Sequence, residues 1–233
     1  MKRTAIALSL VLVACSSSKS NESPAPAQAG ATAKSGTPRE GGGTATPTPV
    51  ATSEPAAVGK AAPEFELTDA DGKAHKLSDH KGKLVVLEWF NPGCPFVKYA
   101  HGEGPLKDMA AQEVEKGVVW LAINSGAPGK QGAGADNSRE GAKTFGMSHP
   151  ILVDESGAVG KIYGATKTPH VFLVDTEGVL VYAGAIDNAP IGEVDGGGAY
   201  VNYLASALAD VRAGKPVATA STPSYGCSVK YKS

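Results

Sequence analysis

The chain has 233 residues, of which 42% are hydrophobic and 19% charged, an ordinary balance for a globular protein. Its formal net charge of −1 gives no reason to expect nucleic acid or an anionic membrane surface as a partner. The length is enough for one or two domains, so segments that do not fold must be recognised first. The chain has three cysteines, Cys15, Cys94 and Cys227, and their positions are its most informative functional signal.

The N-terminal segment, residues 1–14, is typical of a secretory signal. Two basic residues precede an apolar stretch that is too short to span a bilayer of about 30 Å as a helix. The stretch ends in Leu12-Val13-Ala14-Cys15, which resembles the bacterial lipobox. This resemblance implies cleavage before Cys15, its diacylation, and a cell-envelope location, anchored to a membrane and facing an extracytoplasmic, periplasmic space. The alternative is an ordinary secretory signal with an unrelated cysteine.

Residues 15–59 are predicted to form a disordered tether. They are rich in Ser, Ala, Pro, Thr and Gly and contain almost no large apolar side chain. Such a segment cannot bury enough surface to offset the entropy of ordering. Residues 60–213 then have the size of one domain, and residues 214–233 form a tail that carries Cys227.

Apolar runs and turn residues predict the elements of this domain. Strands are predicted at residues 63–67, 83–90, 118–124, 151–153, 170–175 and 179–185. Helices are predicted at residues 95–98, 106–116, 139–147, 157–163 and 200–213. The glycine-rich residues 125–138 are predicted to be a loop, either a lid or a partner surface. The order predicts an α/β fold with a central mixed sheet, partly parallel and closed by a hairpin, and helices on both faces.

Cys94 is the principal candidate for chemistry. It stands where a predicted central strand ends and a helix begins at Pro95, so free backbone N–H groups and the positive end of the helix dipole meet there. Both favour a nucleophilic thiolate. The alternative is an inert core cysteine, but Pro92 and Gly93 indicate an exposed turn. Lys98 lies one helical turn further on, and a solvated lysine is the favoured interpretation.

The segment Trp89-Phe90-Asn91-Pro92-Gly93-Cys94-Pro95 resembles the active-site segment of the redoxin branch of the thioredoxin superfamily. This branch includes alkyl hydroperoxide reductase and thiol-specific antioxidant (AhpC/TSA) proteins. The resemblance covers residues 60–212 in element order and implies a thioredoxin-like fold. It also implies a cis bond at Thr168–Pro169, in Lys167-Thr168-Pro169-His170, and a role for these two residues, with Pro92 and Gly93, in receiving substrate.

Two departures from the family pattern affect the expected activity. Asn91 stands where thioredoxins have the first cysteine of their pair, so no local disulfide forms, and where peroxiredoxins have a Thr or Ser that binds peroxide. An Asn amide is also able to hydrogen-bond a peroxide. His170 lies near the position of the peroxiredoxin arginine, and Arg139 is the only arginine in the middle of the domain. Without that guanidinium, the developing charge of a peroxide loses a fixed stabiliser.

Cys227 has three interpretations. An exported protein meets oxidising conditions, so two domain cysteines favour a disulfide. In the preferred interpretation Cys227 resolves a sulfenic acid or mixed disulfide on Cys94, for which a mobile tail is suited. Alternatively, the pair is a static bond worth about 4–5 kcal/mol in the chain-entropy model, or Cys227 pairs between chains.

The sequence therefore predicts an exported peroxiredoxin-like or thiol-disulfide oxidoreductase that uses Cys94, Cys227 and Asn91. Its expected partners are a hydroperoxide or protein disulfide and an external thiol reductant, without a cofactor. The alternative is a non-catalytic lipoprotein that carries a metal or serves as an interaction module. No histidine pair has zinc-motif spacing, and a copper site would need Cys94 with His170. His101 is expected at the surface, and Trp89, Phe90, Phe96 and Trp120 in the core.

Overall fold

The computed structural model describes residues 54–194 and 196–233. The predicted signal segment, Cys15 and the tether as far as residue 53 lie outside the described residues. None of the described helices is long and apolar enough to cross a membrane. The first described residues already contact the domain, because the backbone N–H groups of Ala56 and Gly59 donate to the carbonyls of Ile162 and Leu180, each at 2.8 Å.

The described residues form a mixed α/β fold. The strands are β1 (Glu66–Asp69), β2 (Ala74–Lys76), β3 (Val85–Trp89), β4 (Val119–Asn124), β5 (Ile151–Val153), β6 (Lys167–Thr168), β7 (His170–Val174), β8 (Leu180–Gly184) and β9 (Cys227–Ser228). The helices are α1 (Pro95–Gly102), α2 (Leu106–Glu115), α3 (Gly134–Phe145), α4 (Ala158–Ile162) and α5 (Tyr203–Arg212), and Leu77–His80 forms a 3-10 turn.

A seven-stranded mixed sheet organises the fold, in the order β2-β1-β5-β4-β3-β7-β8. The strand pairs β3–β4 and β4–β5 are parallel, whereas β7 is antiparallel to both β3 and β8. Every residue of β3 and β7 is buried, because both strands have neighbours on each side and covered faces. The predicted parallel half and closing hairpin are both present.

Alternate side chains of β3 enter two separate apolar clusters. Leu87 and Trp89 belong to one cluster, and Val86 belongs to the other. This division follows from the period of two along a strand. In the first cluster the Trp89 ring lies 5.0 Å from that of Phe172. Trp89 and Trp120 are both buried, as the sequence predicted.

The structure corrects the predicted loop at residues 125–138. Helix α3 begins at Gly134, so the last five of those residues are helical. The first strand is also displaced, since β1 begins at Glu66 rather than at residue 63. Glycine content led to the loop prediction, but the helix is held by packing of residues such as Ala142 and Phe145 against the core.

The tail after α5 is fixed to the domain rather than free. Strand β9 pairs with β6 in a separate two-stranded ladder. The Thr222 Oγ1 atom accepts a hydrogen bond from the Ala185 N–H at 3.0 Å, and the Tyr231 hydroxyl donates to the Ala165 carbonyl at 2.7 Å. The expectation of a mobile tail is therefore wrong in this structure.

A buried ion pair lies within the sheet. Glu88 of β3 is fully buried and accepts hydrogen bonds from His101 Nε2 at 2.7 Å and Trp120 Nε1 at 3.0 Å. The prediction of a surface His101 is wrong, because its ring is 3% exposed and faces this carboxylate. Burial acts to raise the pKa of Glu88, but the charge and hydrogen bond of His101 outweigh it and hold the pKa below its ordinary value.

We expect Glu88→Gln to lower the free energy of unfolding by about 3–5 kcal/mol, because it leaves His101 buried beside a neutral partner. Chemical denaturation at neutral pH measures this loss. The matched control is Glu66→Gln, which breaks a more exposed pair with Lys76 and should cost about 0–1 kcal/mol.

The same pair gives a pH dependence. The folded-state pKa of Glu88 is depressed, so its contribution is present above the ordinary glutamate pKa and is lost as the pH falls through the acid range. The difference in the free energy of unfolding between wild type and Glu88→Gln should therefore become smaller as the pH falls. If Glu88→Gln and Glu66→Gln lowered the free energy of unfolding equally at neutral pH, this result would contradict a stabilising role for the buried pair.

Candidate active site

Cys94 caps the N-terminus of α1, as the sequence predicted, but its side chain is buried. It has extended backbone angles of φ −79° and ψ 126°, and Pro95 is the first helical residue. Its backbone N–H donates to the Asn91 carbonyl at 3.0 Å, which closes the turn through Pro92 and Gly93. The predicted exposed turn is wrong for the thiol itself, since Cys94 is only 1% exposed.

The residues before β7 lie against this thiol. The peptide bond between Thr168 and Pro169 is cis, as the resemblance implied. The Cys94 Sγ–H donates to the Thr168 carbonyl oxygen at a heavy-atom distance of 3.0 Å. The buried hydroxyl of Thr168 has no hydrogen-bond partner of ordinary geometry among the described residues. It is therefore available to turn towards the sulfur when Cys94 is ionised.

Cys227 lies beside Cys94 because of the register of the small ladder. Thr168 of β6 faces Cys227 of β9 in an antiparallel pair. Cys227 is half-buried and packs against the apolar cluster that contains Cys94. Both are free thiols. Two cysteines that are distant in sequence are thus neighbours within one chain.

The surroundings of Cys94 favour its thiolate. Burial acts to raise its pKa, but hydrogen bonding with the side chains of Cys227 and Thr168 acts in the opposite direction. The backbone N–H groups of Val97 and Cys227 add to the lowering, and the resulting pKa lies below the ordinary value of a cysteine. The helix N-terminus therefore contributes as expected, together with groups from β6 and β9.

The surroundings of Cys227 have the opposite effect. Burial, its hydrogen bond to Cys94 and the charge of Cys94 raise the pKa of Cys227 to about 11. At neutral pH Cys94 is therefore the better nucleophile, while Cys227 retains its proton. The two thiols are chemically unequal because their surroundings shift the two pKa values in opposite directions.

Asn91 is buried and holds the turn that carries Cys94. Its Oδ1 atom accepts from the Gly93 N–H at 2.8 Å, and its Nδ2 atom donates to the Gln131 carbonyl at 2.9 Å. Its side chain makes no hydrogen bond to Cys94 among the described residues. The Asn91 amide thus shapes the backbone around the cysteine rather than contacting the sulfur.

The glycine-rich loop contributes a contact that the sequence interpretation missed. The Gln131 side-chain amide donates to the Gly93 carbonyl at 3.2 Å. Gly132 has φ +70°, and a Cβ atom there would lie 2.2 Å from Asn91 Oδ1. Only glycine permits this approach. The available signal was the concentration of glycines at residues 126–134, which indicates close backbone packing as well as a flexible loop.

A cleft of about 540 Å³ lies along the outer side of this turn. Its lining includes Pro92, Gly93 and Gln131 together with polar side chains of α1 and α3, such as Lys98 and Glu140. Lys98 is exposed, in agreement with the solvated interpretation. The turn residues predicted to receive substrate therefore face an open cleft.

His170 and Arg139, which the sequence analysis considered as a possible site neighbour and as the only arginine in the middle of the domain, make no hydrogen bond to either cysteine among the described residues. His170 is 8% exposed, its Nδ1 atom has no partner among the described residues, and burial lowers its pKa to about 4. Arg139 bonds instead to the Ala70 carbonyl and to Asp136. Within residues 54–194 and 196–233, no three His, Cys, Asp or Glu side chains come together as metal ligands.

Comparison with known proteins identifies relatives in sequence. Residues 58–183, more than half of the chain, match the AhpC/TSA family. The thiol-disulfide oxidoreductase ResA of Geobacillus thermodenitrificans (strain NG80-2) is 34% identical over 123 residues, which cover 52% of this chain and 66% of that protein. The chain thus spans just under two thirds of the length of this relative.

Two solved structures are similar over most of the described fold. A hypothetical protein from Sinorhizobium meliloti 1021 has 30% identity and a TM-score of 0.66, covering 78% of this chain and 98% of that one. An uncharacterized conserved protein from Geobacillus kaustophilus has 32% identity and the same TM-score of 0.66, covering 79% and 97%. The family match covers more than half of the chain, and the chain belongs to the AhpC/TSA family.

Proposed function

We propose that the protein is a thiol-based oxidoreductase in which Cys94 attacks the substrate and Cys227 resolves the intermediate. The observation that carries this proposal is the antiparallel register of β6 and β9, in which Cys227 faces Thr168, the residue whose carbonyl oxygen accepts from the Cys94 thiol. The relative named a thiol-disulfide oxidoreductase supports the same class of chemistry.

The first step uses the Cys94 thiolate, whose pKa lies below that of an ordinary cysteine. With a hydroperoxide, the sulfur attacks the terminal oxygen and the O–O bond breaks. The leaving alkoxide takes a proton, so that Cys94 becomes a sulfenic acid and the peroxide becomes an alcohol or water. With a disulfide, the sulfur forms a mixed disulfide and the leaving thiolate takes the proton.

The second step uses Cys227. Its pKa is raised partly by the negative charge of Cys94, and this charge disappears once Cys94 is oxidised. Cys227 then loses its proton more readily and attacks the Cys94 sulfur. A Cys94–Cys227 disulfide forms, and either water or the thiol of the mixed disulfide is released.

Two external thiols, or one dithiol, restore the reduced protein. Cys227 is the more accessible of the two sulfur atoms, so the first thiol attacks it and Cys94 leaves as the thiolate. The second thiol attacks the mixed disulfide on Cys227, which releases Cys227 and an external disulfide. A thiol of low pKa is also the better leaving group in thiol-disulfide exchange. Exposure and pKa thus select the same direction of attack.

The remaining site residues take supporting roles. Asn91, Pro92 and Gly93 fix the turn, and we assign Thr168 and Pro169 to the position where the substrate meets the thiol. Attachment to a membrane through a lipid on Cys15, with the domain on an extracytoplasmic face, is part of the same proposal. It depends on the sequence motif alone, because Cys15 lies outside the described residues.

One equivalent of hydrogen peroxide should convert the reduced full chain carrying Cys15→Ser into a monomer with a Cys94–Cys227 disulfide. When the chain carries Cys227→Ser as well as Cys15→Ser, dimedone should trap a sulfenic acid on Cys94. Peptide mass spectrometry without reduction measures both products. The matched control is Cys94→Ser, which should give neither product, because Cys227 retains its proton near neutral pH. A disulfide between chains, or trapping on Cys227 alone, would contradict the assigned roles.

The pH dependence of alkylation tests whether Cys227 lowers the pKa of Cys94. The midpoint of Cys94 alkylation by iodoacetamide should lie below the value of a free cysteine, about 8.5. Cys227→Ala should raise this midpoint, because it removes a group that lowers the pKa of Cys94. Cys227→Ser retains a donor and should raise it less. Identical midpoints in the three proteins would show that Cys227 does not act on Cys94.

A further inference from the structure

The C-terminal segment of residues 220–231, here called the strap, is attached on both sides of Cys227. Before the cysteine, the Tyr225 hydroxyl donates to Asp187 Oδ1 at 2.7 Å, and Asp187 is itself 1% exposed. After it, the Lys230 carbonyl accepts from the Ala127 N–H at 2.8 Å. The Tyr231 ring packs so closely that a Cβ atom on Gly160 would lie 2.3 Å from its hydroxyl.

Between these attachments the strap occupies the edge of β6. The only partner of β6 within the described residues is β9, and this pairing uses the backbone next to Cys94. Gly226 has φ +108°, and a Cβ atom there would lie 2.2 Å from the Thr168 carbonyl oxygen. Tyr225 also contacts Phe96 of α1, with ring centroids 6.2 Å apart.

The position of the strap determines what reaches Cys94. A disulfide within a folded protein brings a stretch of polypeptide with it, and an extended stretch pairs with an exposed strand edge. The edge beside Cys94 is already taken by β9, and the thiol is 1% exposed. A protein substrate therefore needs the strap released, whereas a molecule of a few atoms needs only side-chain motion.

We infer that the strap makes access to Cys94 depend on size, so that it admits molecules of a few atoms and excludes disulfides of folded proteins. Thiols of protein size then react at Cys227. This inference rests on the proposed function, in which Cys94 makes the first attack and the O–O bond of the peroxide receives the two electrons of the sulfur. Gly226 becomes the specificity-determining position, because a Cβ atom there would meet the Thr168 carbonyl oxygen and displace β9 from β6.

Two reagents with the same reactive group but different sizes test this inference. The full chain carrying Cys15→Ser and Cys227→Ser has Cys94 as its only cysteine. N-ethylmaleimide and a maleimide on a long polyethylene glycol chain are reacted with it, and the ratio of the two rates is compared with that of a free cysteine peptide. We expect the bulky reagent to be disfavoured by about tenfold or more, because it needs local opening.

Adding Gly226→Ala should displace the strap, and the ratio of the two alkylation rates should therefore move towards that of the free peptide. The matched control is Gly214→Ala, in the same tail with φ +67° and open space within 4 Å of the position that a Cβ atom would take, which should leave the ratio unchanged. Tyr225→Phe, which removes only the hydrogen bond to Asp187, should give a smaller shift in the direction of Gly226→Ala.

Size selection would be overturned if the ratio of the two alkylation rates at Cys94 equalled that of the free peptide. Equal rate ratios for Gly226→Ala and Gly214→Ala would overturn it as well. If Gly226→Ala does not fold, the Tyr225→Phe comparison decides the matter by itself. Alkylation requires no redox cycle, so this result is independent of whether the Cys94–Cys227 disulfide forms. Failure of the inference and failure of the proposed function are thereby distinguished.

Discussion

The two-residue antiparallel ladder between Lys167–Thr168 and Cys227–Ser228 is the constraint on which the site depends. It brings the C-terminal part of the chain to the N-terminus of α1 and places Cys227 beside Cys94. The ladder itself is short, and hydrogen bonds on both sides fix its position. The Ala185 N–H, just after β8, donates to Thr222 Oγ1, and the Tyr231 hydroxyl donates to the Ala165 carbonyl. A weak local element is therefore fixed by tertiary contacts.

The same ladder makes the two thiols unequal. Cys94 lies at the helix N-terminus, and the neighbouring groups of Thr168 and Cys227 also lower its pKa. Together these effects outweigh the rise in pKa that burial causes. Cys227 has the Cys94 charge as its neighbour and a pKa of about 11. The inequality depends on the oxidation state of Cys94, because a neutral Cys94 no longer raises the pKa of Cys227. The order of the two steps that we propose thus follows from electrostatics.

Local sequence patterns predicted the fold well, and long-range contacts account for what was missed. The apolar run at residues 83–90 predicted a central strand, and Pro95 after Cys94 predicted the start of a helix, because both signals are local. The burial of His101 depends on Glu88, which lies inside the apolar run and gives no local sign of its partner. Nothing near Cys227 in sequence indicates that its segment pairs with β6.

We propose that Cys94 and Cys227 form one redox couple within a single chain. Equilibration of the full chain carrying Cys15→Ser with graded mixtures of reduced and oxidised glutathione tests it most directly, with the products identified by mass after acid quenching. We predict a single two-electron transition between the dithiol and the Cys94–Cys227 disulfide in the monomer. Stable glutathione adducts on Cys94, or covalent dimers without the intrachain bond, would contradict it.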